Sequence, residues 1–290
     1  MIASELTIAP TRKSPMHPAL LVRDLRVSLR GRALIDGVSF AIDPGQRLAL
    51  LGASGSGKSL TAAALLGQLP AAMRASGRML INGVEVPLST SRTRRAGITA
   101  IHQDPMSALN PLVRLGRQLE IPLRNAGLSA SSARQRAREL LASVGIEGAE
   151  RTMQSFSGEL SGGQLQRVCI ALALACRSAV LVADEPTTAL DVVSQAKVLD
   201  ALSLYSESTK SASAHSESAR STPVGAMLFI THDLAVAAAF CHQALVLGSG
   251  RIIEAGSMES LIERPKHEYT KQLVEAAHAG FDALRREATA

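Results

Sequence analysis

Aromatic residues are scarce in this sequence, which has no tryptophan, two tyrosines and five phenylalanines among 290 residues. Proteins that bind single-stranded nucleic acids stack the bases on aromatic rings, so this class is excluded. The net charge of +6 suits phosphate ligands but is too small to indicate nucleic-acid binding. We therefore expect an aliphatic core and no nucleic-acid partner.

Cysteines and long hydrophobic runs are also rare. The cysteines, Cys169, Cys176 and Cys241, lie in apolar runs without the spacing of a metal site, which predicts buried thiols in a reducing compartment. The longest apolar stretches are interrupted by polar residues such as Arg177, and residues 1–18 contain no apolar segment typical of a signal peptide. We expect neither secretion nor a membrane span.

The hydrophobic pattern predicts an α/β fold. From Leu20, two segments alternate apolar and polar residues, which is typical of antiparallel strands, and a short solid apolar run follows at 47–51. Three further apolar runs at 179–183, 226–230 and 244–247 are separated by helical patterns, which favours a parallel sheet.

Other segments depart from this alternation. Residues 1–18 lack periodicity and are predicted to form a flexible tail. The pattern is helical from about 103 to 178, which indicates an inserted helical subdomain. Within it, one predicted helix has an apolar face made of Ala133, Ala137, Leu140, Leu141 and Val144. Residues 205–225 are rich in serine and poor in apolar residues, and we expect a disordered surface insertion there.

A glycine-rich segment after the 47–51 run fits the pattern G-x-x-x-x-G-K-[ST]. In this pattern, backbone N–H groups surround the phosphates of a nucleotide at a helix N-terminus, the lysine reaches the β- and γ-phosphates, and the final hydroxyl binds Mg²⁺. The predicted phosphate-binding residues are Gly52, Ser54, Gly55, Gly57, Lys58 and Ser59.

Two adjacent carboxylates follow the apolar run at 179–183. Asp184 is predicted to lie at the end of a strand, where it can hold Mg²⁺ through water. Hydrolysis also requires a group that orients the attacking water in line with the γ-phosphate, and Glu185 is the candidate.

Four further motifs accompany these two. Leu160 to Gln164 reads LSGGQ, Gln103 lies in IHQDP, Asp191 lies in TALD and His232 lies in FITHD. In order and spacing, from about Leu20 to Gly256, the sequence resembles the ATP-binding subunits of ABC transporters. The resemblance implies a P-loop NTPase core with a parallel sheet, an N-terminal antiparallel β subdomain and an inserted helical signature subdomain. It also implies an ATPase domain over 19–256 and a C-terminal helical tail over 257–290.

The resemblance assigns a role to each motif. It implies that Glu185, His232 and Gln103 are catalytic and that Ser59, Gln103 and Asp184 hold Mg²⁺ beside ATP. In the family two such subunits pair head-to-tail, so that the signature of one contacts the nucleotide of the other. The residues implied in this second contact are Ser161, Gly162, Gly163, Gln164 and Asp191. Because Ser161 and the glycines begin a predicted helix, we expect open N–H groups there.

The segments HQDPMSALNP and ERPKHEYTKQLVEAA resemble the peptide/nickel importer branch of the family. This implies two transmembrane permease subunits, a second, paralogous ATPase subunit, and a solute-binding protein that acts through the permease. It also implies a peripheral location on the cytoplasmic face of the inner membrane. Other segments resemble nickel-import subunits, so nickel or a metal chelate is the expected solute. A di- or oligopeptide importer is the alternative, and a soluble ABC ATPase without a transport role is a further one.

One departure from the family pattern concerns adenine. Where many relatives have an aromatic ring, this sequence has Leu29 followed by Arg30. The two alternatives are an aliphatic contact and stacking on the planar Arg30 guanidinium.

Overall fold

The computed structural model describes residues 17–88, 95, 97–188, 190–207 and 225–287, with side chains described as far as 277. The strands are β1 (Leu20–Leu29), β2 (Arg32–Ile42), β3 (Arg47–Leu51), β4 (Met73–Ile81), β5 (Val84–Glu85), β6 (Ile98–Ile101), β7 (Val180–Asp184), β8 (Ala226–Ile230), β9 (Gln243–Gly248) and β10 (Arg251–Ser257). The helices are α1 (Lys58–Leu66), α2 (Leu115–Asn125), α3 (Ala130–Ser143), α4 (Ala149–Gln154), α5 (Gly162–Ala175), α6 (Val192–Glu207), α7 (Leu234–Phe240), α8 (Met258–Glu263) and α9 (Glu268–Glu287).

The chain divides into two compact units, one made of residues 1–95 and 226–290 and the other of 96–225. The first unit contains an antiparallel sheet in the order β2-β1-β4-β5. It also contains β3 between β8 and β9, both parallel to it, with β10 antiparallel to β9. The predicted combination of antiparallel strands and an apolar parallel sheet is confirmed, and β3 and β8 match the apolar runs 47–51 and 226–230.

Residues of β3 and β8 are almost all inaccessible to solvent, which explains why these strands read as solid apolar runs. In β1 the pattern alternates more, because one face of an antiparallel sheet can remain polar. The α/β fold therefore contains both buried parallel strands and half-exposed antiparallel strands.

The second unit contains the parallel pair β6 and β7 together with helices α2 to α6. Ser129 caps the N-terminus of helix α3: its hydroxyl accepts the N–H of Ser132 at 3.2 Å. The predicted apolar face is confirmed as buried: Ala133, Ala137, Leu140, Leu141 and Val144. The prediction of a disordered insertion from 205 was wrong for 205–207, which continue α6. Residues 208–224 of the predicted insertion and 1–16 of the predicted tail lie outside the described residues.

In the C-terminal part of the first unit, β10 leads into α8 and α9. Glu254 of β10 is only 6% exposed and accepts the N–H groups of Lys266 at 2.9 Å and His267 at 3.0 Å. Burial alone would raise the pKa of Glu254, but these bonds and the side chain of Thr270 bring it below its ordinary value. This carboxylate therefore fixes the segment that begins α9.

The prediction of three buried thiols was correct for two. Cys169 and Cys241 are buried, and burial raises the pKa of each to about 12. Cys176 is partly exposed, because it caps the end of α5 where the helix leaves the apolar interior. Among the described residues, no helix has the length and apolar composition required to cross a bilayer.

Candidate functional site

The glycine-rich segment of the first unit connects β3 to α1. The backbone of Gly57 has φ 109° and ψ 8°, and that of Gly55 has φ 78°, conformations that side chains disfavour. A Cβ atom on Gly57 would lie 2.4 Å from Cδ1 of Ile35, and one on Gly52 would lie 2.5 Å from the carbonyl oxygen of Leu247. The backbone conformation therefore favours glycine at Gly55, and both the conformation and the available space favour it at Gly52 and Gly57.

The loop is fastened to neighbouring strands of the same unit. The N–H of Ser56 donates to Ala53 at 3.2 Å, and the carbonyl of Ser56 accepts the N–H of Gly250 at 2.9 Å. Gly250 in turn accepts the N–H of Asp36 at 2.9 Å. These bonds hold the loop in place through the turn between β9 and β10 and through β2.

The Lys58 ammonium group folds back over this loop. It is 7% exposed, and Nζ donates to the carbonyls of Gly52 at 2.8 Å and Ala53 at 3.0 Å. A buried cation is stabilised by such oxygens, and the same atom can exchange them for phosphate oxygens. Lys58 is therefore positioned to bind an anion held by the loop.

Three observations show that this loop fits the phosphates of a nucleotide. Helix α1 has no side-chain cap at its N-terminus and no acidic residue in its first turn, so its first N–H groups are available to an anion. The hydroxyl of Ser56 is buried in the loop and has no hydrogen-bond partner among the described residues. The close backbone approach at Gly52 and Gly57 keeps side chains out of this region. Ser54 and Ser59 lie in the same segment.

In the second unit, β7 carries Asp184 as its last residue, as predicted, and Glu185 follows in a left-handed conformation with φ 48°. Oε2 of Glu185 accepts Nε2 of Gln103 at 3.3 Å and Oγ1 of Thr188 at 3.2 Å. The structure therefore brings together Gln103 and Glu185, which lie 82 positions apart in the sequence. Two donors on one oxygen restrict the orientation of this carboxylate.

His102 directly precedes Gln103 in the sequence. Burial lowers the pKa of His102, and the carboxylates of Asp184 and Asp104 act in the opposite direction. The net lowering favours a neutral imidazole at pH 7, so we assign His102 no charge in the site.

The signature segment begins helix α5 with a reciprocal cap. Oγ of Ser161 accepts the N–H of Gln164 at 3.3 Å, and Oε1 of Gln164 accepts the N–H of Ser161 at 3.0 Å. The expectation of open N–H groups was therefore wrong for Ser161, whose N–H donates to Gln164. Ser161 and Gly162 are exposed, and Gly163 follows in the first turn of α5.

Asp191 also has a structural partner. Its Oδ1 accepts the N–H of Ser194 at 2.9 Å, which caps the start of α6. Hydrogen bonds from the side chain and the backbone of Ser194 hold the pKa of Asp191 below its ordinary value. Val192 and Val193, directly after it, are 83% and 66% exposed. An exposed apolar pair beside a capped carboxylate is typical of a contact surface.

His232 lies in the first unit, two residues after the end of β8, and is exposed. Its neighbours define the local backbone: the Thr231 hydroxyl accepts the N–H of Asp233 at 3.0 Å, and Asp233 caps α7. His232 therefore lies between a buried strand and a capped helix.

The two candidates for adenine contact lie at the turn between β1 and β2. Leu29 is half-buried and pairs with Arg32 on β2 and Met73 on β4. Arg30 is exposed at the tip of the turn, where its φ is 49°. Both alternatives remain available to a purine base.

Two residues near Glu185 were missed by the sequence analysis. Thr188 holds the Glu185 carboxylate, and Gln166 of α5 donates to the carbonyl of Pro186 at 3.2 Å. Thr188 could have been suspected from its position three residues after Glu185. Gln166 gives no local signal, because its partner is 20 residues away.

Comparison with known proteins identifies the class of this chain. The sequence profile described as "ABC transporter" matches residues 35–188, more than half of the chain. A dimeric ATP-binding cassette solved in a post-hydrolysis state with ADP and Pi is 25% identical, with a TM-score of 0.67 over 82% of this chain and 98% of that one. An ATP-binding subunit of an ABC transporter shows the same fold at 24% identity, with a TM-score of 0.71 over 90% of this chain and 99% of that one.

The chain belongs to the ABC transporter family and is similar to its ATP-binding subunits. It is 42% identical to the peptidoglycan transport ATP-binding protein YejF of Agrobacterium fabrum, over 93% of this chain and 49% of that protein. It is 37% identical to the dipeptide transport ATP-binding protein DppD of Lactococcus lactis subsp. cremoris, over 89% of this chain and 73% of that protein. The chain thus spans about half the length of YejF and about three quarters of DppD.

Proposed function

We propose that this chain is the ATP-hydrolysing subunit of an ABC importer. The observation that carries the proposal is the loop from Gly52 to Ser59, which joins the buried Lys58 ammonium to a helix start without a side-chain cap. A protein that only binds a nucleotide would need this loop but no group that orients an attacking water. The paired donors on the Glu185 carboxylate favour an enzyme.

Binding begins when Lys58 releases the carbonyls of Gly52 and Ala53. Its ammonium group and the first N–H groups of α1 then bind the phosphates of ATP. Charge-assisted bonds to phosphate are stronger than those to a neutral carbonyl, so the exchange is favourable. Ser54, Gly55 and Gly57 supply backbone to the same loop.

We assign Ser59, Gln103 and Asp184 as the residues that hold Mg²⁺, because hydroxyl, amide and carboxylate oxygens are the donors that this ion prefers. Bound there, Mg²⁺ would neutralise charge on the β- and γ-phosphates. Gln103 then has two roles, since its amide nitrogen also holds Glu185.

For hydrolysis, we assign Glu185 the orientation of the attacking water. Thr188 and Gln103 fix Oε2, which limits the directions in which the carboxylate can accept a proton. The proposed role of His232 is to stabilise the charge that develops on the γ-phosphate.

We assign Ser161, Gly162, Gly163, Gln164 and Asp191 to the contact with a nucleotide held by a second ATPase subunit. The exposed signature and the exposed Val192 and Val193 support a subunit contact at these segments. The second subunit is proposed to be a paralogue. Two transmembrane permease subunits and a solute-binding protein complete the proposed importer, with this chain peripheral on the cytoplasmic face of the inner membrane.

For the solute, the comparisons favour peptides over the expected nickel. The relatives described above are named for peptidoglycan and dipeptide transport, and oligopeptide transport proteins of Mycobacterium tuberculosis and Bacillus subtilis are 38% and 37% identical to this chain. We therefore propose a peptide or peptide-containing solute. In cells that lack the gene, uptake of labelled short peptides should fall while uptake of labelled nickel, free and chelated, stays normal. Loss of nickel uptake alone would reverse this assignment.

The ATPase proposal is tested with two variants of the full chain. Lys58→Ala should weaken ATP binding about tenfold or more, because hydrogen bonds to charged groups contribute about 1.5–3 kcal/mol. Glu185→Gln should retain ATP binding and lose hydrolysis by about a hundredfold or more. The matched controls are Lys271→Ala and Glu139→Gln, which alter exposed residues on α9 and α3. Normal turnover in Glu185→Gln would remove Glu185 from its assigned role.

A further inference from the structure

Gln166 is a buried amide in an otherwise largely apolar part of helix α5. It is 2% exposed, and its Nε2 donates to the carbonyl of Pro186 at 3.2 Å. Its Oε1 is also buried and has no hydrogen-bond partner among the described residues. One half of this amide is therefore satisfied and the other half is not.

Such an arrangement is unfavourable for stability. A buried polar atom without a partner carries its full desolvation cost, whereas an apolar side chain of the same shape is often neutral or stabilising. Methionine would fill this volume without an unsatisfied atom. Any benefit of Gln166 must therefore come from its hydrogen bond to the carbonyl of Pro186.

That group belongs to the segment of the proposed catalytic carboxylate. Pro186 directly follows Glu185, whose backbone has the left-handed φ of 48° that a glutamate disfavours. A residue in this conformation keeps it only when its surroundings hold the backbone. The bond from Gln166 holds the carbonyl of Pro186, the residue that directly follows Glu185.

The same face of α5 makes a second contact, one turn later. Sγ of Cys169 donates to the carbonyl of Pro105 at 3.3 Å. Pro105 lies two residues after Gln103, which holds the Glu185 carboxylate. Helix α5 thus touches both segments that orient Glu185, and all these residues belong to the second unit.

From the two contacts that α5 makes through Gln166 and Cys169, we infer that Gln166 is a positioning residue. It couples α5, the helix that begins at the signature, to Glu185. The inference rests on the proposed ATPase function. A nucleotide that contacts Ser161 and moves the start of α5 also moves Gln166, which lies one turn further along the same helix. The displacement reaches Glu185 through the Pro186 carbonyl. The water-orienting carboxylate is then correctly placed only when the signature is engaged.

The test compares Gln166→Met and Gln166→Leu with the wild-type full chain, and uses Gln135→Met on the exposed face of α3 as the control. Amide hydrogen exchange is measured first, without nucleotide. Loss of the bond should raise exchange in the segment 185–190 roughly fivefold, as expected for about 1 kcal/mol, and should leave α3 unchanged. Steady-state hydrolysis should then show kcat lowered about tenfold or more, because small misplacements of a reacting group are costly, with KM for ATP nearly unchanged.

Unchanged exchange in 185–190 in the Gln166 variants would overturn the inference, and so would increased exchange with normal kcat. A merely structural role would lower the unfolding temperature and raise exchange throughout α5, without a selective effect on kcat. If the wild-type chain does not hydrolyse ATP, the proposed function fails, whereas the exchange comparison still decides whether Gln166 holds this segment.

Discussion

The substitution Gly57→Ala separates two reasons for glycine in the phosphate loop. The alanine Cβ would lie 2.4 Å from Cδ1 of Ile35, a residue with no solvent exposure, in a backbone with φ 109°. The left-handed backbone costs about 1–2 kcal/mol for a residue with a side chain. Forcing an extra methyl group into a packed core costs about 1–3 kcal/mol. We therefore expect Gly57→Ala to lower the free energy of unfolding by roughly 2–5 kcal/mol.

Two further variants separate the backbone cost from the steric cost in this loss of stability. Gly55 has φ 78°, and a Cβ added there would have no heavy atom within 4 Å. Gly55→Ala should therefore lower the free energy of unfolding only by the backbone cost of about 1–2 kcal/mol. Ile35→Val removes the atom that clashes and by itself costs about 0.5–1.5 kcal/mol. Combined with Gly57→Ala, it should restore most of the steric loss, which appears as a coupling energy of about 1–3 kcal/mol in a double-mutant cycle.

Because the chain has no tryptophan, urea unfolding is best followed by far-ultraviolet circular dichroism, with ATP binding measured on the same samples. The steric interpretation is refuted if Gly57→Ala is no less stable than Gly55→Ala, or if Ile35→Val leaves the difference between them unchanged. Weakened ATP binding in all the alanine variants is expected, since both glycines lie in the loop.

Two other predictions concern stability. In Glu254→Gln, the carboxylate whose pKa is lowered on folding is lost. Wild-type stability should exceed that of the variant above the unfolded pKa near 4.5, and the difference should shrink as pH falls through the lower folded value; a constant difference from pH 7 to pH 3 would contradict this. Replacement of Glu207 to Thr222 by a short Gly/Ser linker should change the thermal midpoint little, because loop-closure entropy varies slowly with loop length and Gly225 lies against the ring of Tyr205. A large loss of stability would contradict it.

The sequence predicts those parts of the fold that local pattern controls. Strands β3 and β8 are solid apolar runs because both of their faces are buried, and α3 shows its buried face through the helical spacing of alanine and leucine. The reciprocal cap of Ser161 and Gln164 is also a local signal, since the serine and glutamine are three residues apart. It was overlooked because the signature was interpreted only as a ligand contact.

Other features depend on residues that are distant in sequence. Nothing around Gln166 predicts that its amide points at a carbonyl 20 residues away, and polar residues in helices are usually exposed. The contact between Gln103 and Glu185 likewise requires that β6 and β7 pair in parallel with a defined register. Cys176 was predicted as buried from its apolar neighbours, but its exposure depends on where α5 ends.

The reciprocal cap at the start of α5 has a consequence for the proposed contact between subunits. Ser161 and Gln164 already satisfy each other, so these two residues do not need another molecule to complete these bonds. A phosphate that binds there exchanges one set of bonds for another, and the net gain is only the difference between them. In the proposed dimer, this exchange would favour reopening once the γ-phosphate has been released. We expect that loss of the cap would hold the proposed product complex together for longer.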